Sequence, residues 1–452
     1  MKKYLTLSVC AAIACASGLY ADGTLADAVK NGSVSGNIKY YYINTHKEKA
    51  DNTSSTSFAN SIGGQLSYKT GKWMGLDATV TFMTTQPFLL PDNVDTSIIG
   101  RDNAIMAGAS AGDPIGQDGF SVLGEAYLSY SRDNFDFWGG RKVIKTPLIN
   151  AKEVRMLPSA VKGAHASLKL EDGFRVGVAY LDAFKQRTSS EFVNIVKHAL
   201  GADTKAITGS ESGVVIPLCL SWKGGKHAVR VVDYYSPDFI NSIYADWNYR
   251  HKQSDELAYA FALQTIVQDS VGDADDNLAQ ATSVTGGKSI KSRAVAAKLN
   301  VSYSGSNFTL AYSNVFSDDA SHDSLVLPWD GTPLYTNMIT ANNLFQSNYG
   351  KGLGADSAYI GGTSGIKIAY GQDFGKFGFS GYSMTLSSAW FDNDKFDKTQ
   401  NDLNAVLAYK NGPASIALKG IWVRNSATAE ADGTVSQLPI LHQYRIIANY
   451  KF

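Results

Sequence analysis

The chain ends on QYRIIANYKF, residues 443–452, and this stretch has the alternation of a β-strand. One face is apolar or aromatic and consists of Tyr444, Ile446, Ala448, Tyr450 and Phe452. The opposite face carries Gln443, Arg445, Asn449 and Lys451, with Ile447 between them. A period of two predicts a strand with one face in an apolar environment and the other in a polar one.

The same period recurs from Ser33 to the end of the chain and predicts eighteen strands. They lie near residues 33–42, 62–69, 76–82, 121–131, 135–141, 164–171, 174–182, 213–222, 227–236, 242–250, 255–267, 292–303, 307–316, 364–373, 377–391, 402–410, 414–424 and 441–452. Tight turns alternate with long polar loops, of which the clearest are 86–120, 183–212, 268–291 and 317–363.

An even strand count with short and long connections in alternation is typical of a membrane β-barrel. In hydrocarbon an open sheet edge would leave backbone groups without hydrogen bonds, so the sheet must close. A secreted β-solenoid would have a fixed repeat length, which the sequence lacks. The predicted fold is all-β, a transmembrane antiparallel barrel of about 18 strands.

Composition agrees with a barrel and excludes other classes. Lysine plus arginine equals aspartate plus glutamate, 41 each, so no global charge points to nucleic acid. The chain has 24 tyrosines, 20 phenylalanines and 42 glycines, which favours a β-rich, turn-rich fold. A mean hydropathy of −0.14 excludes a helical membrane protein, but a barrel exposes only half of each strand to lipid.

The N-terminus has the pattern of a signal peptide, which we assign to residues 1–21. Lys2 and Lys3 precede an apolar run, and a small-residue cleavage site precedes the single barrel domain, residues 22–452. Cys15 leaves lipidation of the leader open, although a plain apolar leader is the favoured interpretation. Once the leader is removed only Cys219 remains, so no internal disulfide is expected.

The stretch FDFWGGRKVIKTPLINAKEVRMLPSAVKG, residues 135–163, begins as a strand and then leaves strand geometry. Pro147 and Pro158 prevent a helix or a central strand there. In the part after the strand, residues 142–163, a single acid, Glu153, accompanies the cations Lys142, Lys145, Lys152, Arg155 and Lys162. The stretch is therefore predicted to be a basic loop that folds inward and constricts the barrel.

Charged residues of the strands are expected to face the lumen, because a charge on the lipid face costs about 2–4 kcal/mol near the midplane. The alternation places inward Lys39, Arg175, Arg250, Lys298, Lys367, Lys419 and Arg445. Near the end of the fifth strand either Arg141 or Lys142 projects inward. Arg230 lies between Val229 and Val231 but shares its face with Tyr234, which leaves the orientation of that strand open.

A lumen lined mostly by cations concentrates anions, and arginine can hold a carboxylate through two hydrogen bonds. We therefore expect a passive channel for small hydrophilic nutrients that favours anionic or carboxylate-bearing solutes. The pore constriction and its basic ladder would comprise Arg155, Lys152, Lys145, Arg141, Lys162 and the seven strand cations above. The alternative, that lumenal charges only solvate a watery pore, stays open.

Several runs resemble the OprD-like outer-membrane porins: residues 34–42, 64–71 and 124–128, Gly140-Arg141, Thr146-Pro147, and Val154–Pro158 with Gly163. The resemblance implies an eighteen-stranded barrel in the bacterial outer membrane, a narrow pore occluded by the third loop, and uptake of small, often carboxylate-bearing nutrients. A later loop, here 317–363, would assist the third loop. Some members of the family carry neutral saccharides or amino acids, so a carboxylate preference does not follow from the resemblance alone.

The expected partners are a small-molecule solute, outer-membrane lipid with lipopolysaccharide, and the barrel assembly machinery. A terminal strand that closes on Phe452 resembles the signal that this machinery recognises. The sequence leaves monomer and homotrimer open.

Enzymatic and adhesive barrels are the rival classes. His165 and His442 lie on or beside strands, but neither accompanies a nucleophile motif. The acidic loop around Asp273 lacks an EF-hand pattern, and 223–226 is a hairpin turn. No cofactor, metal or catalytic residue is predicted.

Overall fold

The structure, a computed structural model, describes residues 23–48, 54–88, 119–151, 155–280, 282–339, 357–425 and 440–452. The predicted leader and Lys152 lie outside these ranges. Eighteen antiparallel strands form one closed sheet, which confirms the predicted fold. A further two-residue strand, Val193–Asn194, pairs with the seventh strand inside a loop.

The strands follow one another around the barrel in chain order. They are β1 (Ser33–Glu48), β2 (Ser54–Lys69), β3 (Leu76–Pro87), β4 (Phe120–Arg132), β5 (Phe135–Lys142), β6 (Ala160–Lys169), β7 (Phe174–Lys185), β8 (Ile216–Gly224), β9 (His227–Ser236), β10 (Ile240–Lys252), β11 (Leu257–Ser270), β12 (Lys291–Tyr303), β13 (Ser306–Val315), β14 (Thr363–Asp373), β15 (Tyr382–Asn393), β16 (Lys398–Asn411), β17 (Ala414–Asn425) and β18 (Ile440–Lys451).

The barrel closes where β1 pairs with β18, from Asn37 opposite Lys451 to Glu48 opposite Ile440. Closure leaves no sheet edge within the hydrocarbon, as a membrane barrel requires. The backbone of the last residue completes the seam, because Gly36 and Phe452 exchange two hydrogen bonds.

The predicted alternation of faces is visible in β1 and β18. Ile38 and Tyr450 are exposed on the outer wall, whereas Tyr41 and Arg445 are buried on the inner one. Beyond the hydrocarbon the pattern weakens. β2 begins at Ser54 rather than near residue 62, since its polar first half pairs with the upper part of β1.

One other strand boundary differs from the prediction for a local reason. β15 begins at Tyr382 instead of residue 377, because a 3-10 turn at Gly375–Phe377 precedes it, and the N–H of Gly375 donates to the Asp373 carboxylate at 2.8 Å. The alternation of connection length also has exceptions. On the side of the long loops, residues 237–239 and 394–397 are short connections.

Five short α-helices lie in the part of the chain that the structure describes. They are α1 (Leu25–Lys30), α2 (Ile195–Leu200), α3 (Thr204–Thr208), α4 (Asp273–Asn277) and α5 (Thr282–Thr285). None of the helices in the described ranges is long and apolar enough to cross a membrane.

Three long loops fold back into the barrel and pack on its inner wall. We name them L3 (143–159), L4 (186–215) and L7 (316–362). Their apolar side chains pack on lumenal residues such as Tyr234 and Ile266. Each loop contributes to the largest buried cluster, L3 through Leu148 and Ile149, L4 through Ile195 and Val196, and L7 through Leu325, Val326, Leu327 and Trp329. The loops are thereby held inside the lumen by burial of apolar surface.

Candidate functional site: the pore constriction

L3 leaves the wall immediately after β5 and turns back within a few residues. The backbone N–H of Val143 donates to the Glu125 carboxylate at 2.9 Å. Thr146 then closes a turn, its N–H and its hydroxyl donating to the Ile149 carbonyl at 2.9 and 2.8 Å. Pro147 fits this turn because its fixed φ suits the second position. The sequence prediction that the segment leaves strand geometry and folds inward is confirmed.

A wall lysine holds the far end of L3. The ammonium of Lys39, on the inner face of β1, donates to the backbone carbonyls of Arg155 and, at 3.4 Å, Met156. Met156 and Leu157 pack on the lumenal side chains Tyr41 and Ile43. Both contacts fix the backbone from which the Arg155 side chain projects.

Arg155 meets a second arginine across a tyrosine. Arg445 of β18 is only 1% exposed, and its guanidinium lies 3.5 Å from the Tyr41 hydroxyl and donates to Gln443 at 2.7 Å. The Arg155 guanidinium also hydrogen-bonds the Tyr41 hydroxyl. Burial, with the nearby charge of Arg445, lowers the pKa of Arg155 to about 9, so Arg155 stays protonated at neutral pH.

Lys419 extends this group, because β17 places it directly opposite Arg445 on the inner wall. We call Lys39, Arg155, Lys419 and Arg445 the constriction cluster. The hydrogen bonds described above join its members to neutral groups, namely the Tyr41 hydroxyl, the Gln443 amide and backbone carbonyls. The cluster brings two arginines and two lysines to the inner wall at the level of L3.

L3 is joined to L7 and L4 at a second point, which we call the loop junction. Asn150 N–H donates to the Trp329 carbonyl at 3.0 Å, and Ile149 forms a β-bridge with Asp330. The Asp330 carboxylate accepts a hydrogen bond from Ser159 at 2.5 Å and forms an ion pair with Arg187 of L4. The two ionised side chains are 10% and 14% exposed, so this pair is largely shielded from water.

L7 also contacts two of the predicted ladder residues. The Lys367 ammonium donates to the Asn337 carbonyl at 2.6 Å, and the Lys298 ammonium lies 4.3 Å from the centre of the Tyr335 ring. Gln264 of β11 donates to the Pro333 carbonyl at 3.1 Å. The described part of L7 thus occupies the lumen beside L3, as the family resemblance implies for its later loop.

Other predicted cations lie nearer the short turns. Arg175 forms an ion pair with Asp136 at 2.5 Å, and Lys169 lies 3.9 Å from the same carboxylate. Arg250 lines a cavity of about 510 Å³ together with Arg230, Asp246 and Asn248. These groups lie closer to the short turns than the constriction cluster does, and they are not part of that cluster.

Three predicted site residues near L3, and Lys142, the alternative to Arg141 for the inward position, have different surroundings. Lys142 points inward, 4.3 Å from the centre of the Tyr127 ring, and Arg141 lies 4.6 Å from that of Phe192 in L4. Lys145 is exposed on the L3 turn, where it bridges to Asn150. Lys162 is exposed on the face of β6 that carries Leu168, and it pairs with Asp182 at 3.0 Å.

Two cations at the pore were absent from the predicted set. Arg230 faces the lumen and makes two hydrogen bonds to Asp246, at 3.0 and 3.1 Å. The sequence left its orientation open because Tyr234 shares its face, and Tyr234 is buried on the same inner wall. Arg187 lies in a loop without periodicity, so no sequence signal identified it. Within the described ranges, no group of three or more histidine, cysteine, aspartate or glutamate side chains could hold a metal ion.

Comparison with solved structures supports the architecture. Pseudomonas aeruginosa OccK9 (OpdG) superposes with a TM-score of 0.69 at 15% identity, over 94% of this chain and 99% of that chain. Acinetobacter baumannii OccAB3 gives 0.69 at 13% identity, over 94% and 100%. P. aeruginosa OpdK, solved with vanillate, gives 0.67 at 14% identity, over 94% and 99%. These identities show a shared fold.

Sequence comparison identifies the family. The family model described as outer membrane porin, OprD family, matches residues 102–410, more than half of the chain. Comparison with curated proteins gave no match. Fold and family together indicate a bacterial outer-membrane channel through which small solutes pass. The chain belongs to the OprD family of outer-membrane porins.

Proposed function

We propose that this porin is a passive, solute-selective channel that favours small carboxylate-bearing anions and binds them at the constriction cluster. The observation that carries the proposal is the pair of arginines, Arg155 from L3 and Arg445 from the wall, on either side of Tyr41. Two guanidinium groups held close repel each other, and an anion between them relieves that repulsion.

Arginine chemistry supports the carboxylate preference. A planar guanidinium offers paired N–H donors that match the two oxygens of a carboxylate, and each hydrogen bond to a charged group contributes about 1.5–3 kcal/mol. Lys39 and Lys419 add charge at the same level without a fixed fork. A solute can therefore exchange one guanidinium partner for the next as it moves.

The remaining inward cations provide a route beyond the constriction. Arg230, Arg250, Lys298 and Lys367 line the lumen on strands β9 to β14. In a low-dielectric wall, charges of one sign focus the field and raise the local anion concentration. Asp246 compensates Arg230, so the route is less positive there than at the constriction cluster.

Two structural relatives are consistent with this substrate class. OpdK was solved with vanillate and P. aeruginosa OccK2 (OpdF) with glucuronate. Both molecules carry a carboxylate. At 14% and 12% identity these relatives support the proposal only by analogy of fold.

Biogenesis forms a second part of the proposal. Phe452 is exposed on the outer wall at the rim of the short turns, where its backbone pairs with Gly36. We propose that the assembly machinery recognises this terminal strand, and that lipopolysaccharide and phospholipid cover the outer wall. The signal peptide, residues 1–21, would direct export to the periplasm.

Single-channel recording in a planar bilayer tests the solute preference. Under a KCl gradient the reversal potential should indicate anion preference, and benzoate should block the current whereas its neutral analogue benzyl alcohol should not. Arg155→Ala should weaken the benzoate block about tenfold, the loss of about 1.4 kcal/mol of binding.

Lys162→Ala is the matched control, since it removes an equal charge that pairs with Asp182 away from the cluster. It should leave the block unchanged. Cation preference without benzoate block would refute the carboxylate proposal while leaving the barrel intact. Absence of any conductance from folded protein would instead favour an enzymatic or adhesive barrel.

A further inference from the structure

The N-terminal helix α1 has an apolar face without a protein partner among the described residues. Leu25 is 61% exposed and Val29 is 51% exposed, and one helical turn separates them. Residues four apart lie on the same face of a helix. The helix is well formed despite its six residues, because Thr24 and Asp27 make a reciprocal capping box.

Contacts with the barrel place α1 outside the wall, at the rim of the short turns. Ala28 is buried, and its carbonyl accepts a hydrogen bond from Gly71 in the turn after β2. The Tyr68 hydroxyl donates to the Val29 carbonyl. Tyr68 pairs with Val34 and Val80, which are exposed on the lipid-facing wall, so the C-terminal end of α1 lies on that outer side.

We propose that α1 lies in the inner-leaflet interface of the outer membrane and binds phospholipid through Leu25 and Val29. Short turns mark the periplasmic end of such barrels, so the adjacent leaflet is the inner one. A short amphipathic helix of this kind lies in the plane of the interface. Lys30, in the last turn of α1, is exposed and would reach the lipid headgroups.

Continuity with the lipid-facing wall identifies the occupant. Through Tyr68, the C-terminal end of α1 adjoins the exposed band of Val34, Ile38 and Leu66 on β1 and β2. Asp27 lies opposite this apolar face, and Ala26 and Lys30 lie about 100° around the helix from Leu25 and Val29. These small or charged residues suit contact with water or headgroups. Because Leu25 and Val29 lie beside a surface that already contacts lipid, acyl chains are the expected occupant of this face, in preference to a partner protein.

Site-directed nitroxide labelling in vesicles of phosphatidylethanolamine and phosphatidylglycerol tests the proposal. Cys10, Cys15 and Cys219 are first replaced by serine, and single cysteines are introduced as Leu25→Cys and Val29→Cys. Ala26→Cys is the control on the same helix, and Leu66→Cys reports a position on the lipid-facing wall. Collision with oxygen, which concentrates in lipid, is compared with collision with a water-soluble nickel chelate.

Labels at 25 and 29 should resemble the label at 66, with high oxygen access and low nickel access, whereas the label at 26 should have higher nickel access. Nickel access at 25 and 29 equal to that at 26 would place the face in water and overturn the proposal. Exclusion of both reagents would also overturn it, because it would indicate burial against a second copy of the chain.

Discussion

Arg445 is a charged side chain that the barrel wall buries almost completely. Its guanidinium donates to the Gln443 side chain at 2.7 Å and lies 3.5 Å from the Tyr41 hydroxyl. Burial of an ion costs several kcal/mol, so such a residue is weak evidence for stability. The free-energy cost of burying Arg445 is explained if its charge binds the solute.

Arg445→Met should therefore separate stability from function. Removal of the buried charge should leave the melting of the barrel unchanged or raise it, because apolar replacements of buried ions are often neutral or stabilising. Benzoate affinity should fall about tenfold, or about 1.4 kcal/mol. Heat-modified electrophoretic mobility measures the stability of the barrel. Single-channel block measures the affinity for benzoate.

Arg445→Lys keeps the charge but loses the planar fork, so its benzoate affinity should lie between that of Arg445→Met and that of the unmodified protein. The prediction fails if Arg445→Met unfolds the barrel while the remaining folded protein binds benzoate as the original does.

The loop junction joins L3, L4 and L7, so we expect these three loops to move as one unit. Asp330→Asn removes the carboxylate that holds Arg187 and leaves a shielded arginine uncompensated, which costs about 3–5 kcal/mol in buried pairs. We expect the wall to stay folded while L3 and L7 loosen, since the strands keep their own ladder. Single-channel traces should show larger, flickering open currents.

Asp182→Asn is the control, because it breaks the more exposed pair with Lys162. It should give quiet traces like those of the unmodified protein. Equal noise in both variants would mean that the loop junction does not hold the constriction.

We expect His322 to make the attachment of L7 at its base sensitive to acid. Its backbone bonds Ser289 and Lys291, which ties L7 to the preceding long loop, and burial lowers its pKa to about 4. An opened loop would bind a proton with the ordinary pKa of about 6.5. The free energy that holds L7 closed is therefore highest above pH 6.5, where His322 is neutral in both states. It falls as the pH decreases towards 4, and it is lower by about 2 kcal/mol at pH 5.

Hydrogen exchange corrected for intrinsic rates should show lower protection of residues 289–292 and 322–326 at pH 5 than at pH 7. His322→Gln cannot titrate, so its protection should be the same at both values. Equal protection in the unmodified protein would contradict the prediction.

At the scale of the whole molecule, the seam between β1 and β18 decides whether the barrel closes. A Cβ at Gly36 would overlap the Gln65 carbonyl oxygen and press on the Phe452 ring. Gly36→Ala should therefore slow assembly and reduce the folded fraction. Gly371→Ala, where the nearest atom would lie at 3.8 Å, should assemble normally. Electrophoretic mobility of unheated samples measures the folded fraction, and equal yields would contradict the prediction.

The wall could be predicted from the sequence because one period of two decides both its fold and its faces. Lys39, Lys419 and Arg445 alternate with exposed apolar residues, so their inward orientation followed from their neighbours. The loops have no such period. The ion pair of Arg187 with Asp330 joins residues far apart in sequence, and only the folded chain brings them together.

The contact of L3 with L7 has a mechanical consequence. Because Asn150 and Trp329 share a backbone hydrogen bond, the two loops form a single partition across the lumen. The largest apolar cluster packs these loops against the wall strands from β5 to β13, and the constriction cluster lies between L3 and the strands β1, β17 and β18. We therefore expect the aperture to lie off the barrel axis, with a width that depends on the two arginine side chains more than on the diameter of the barrel.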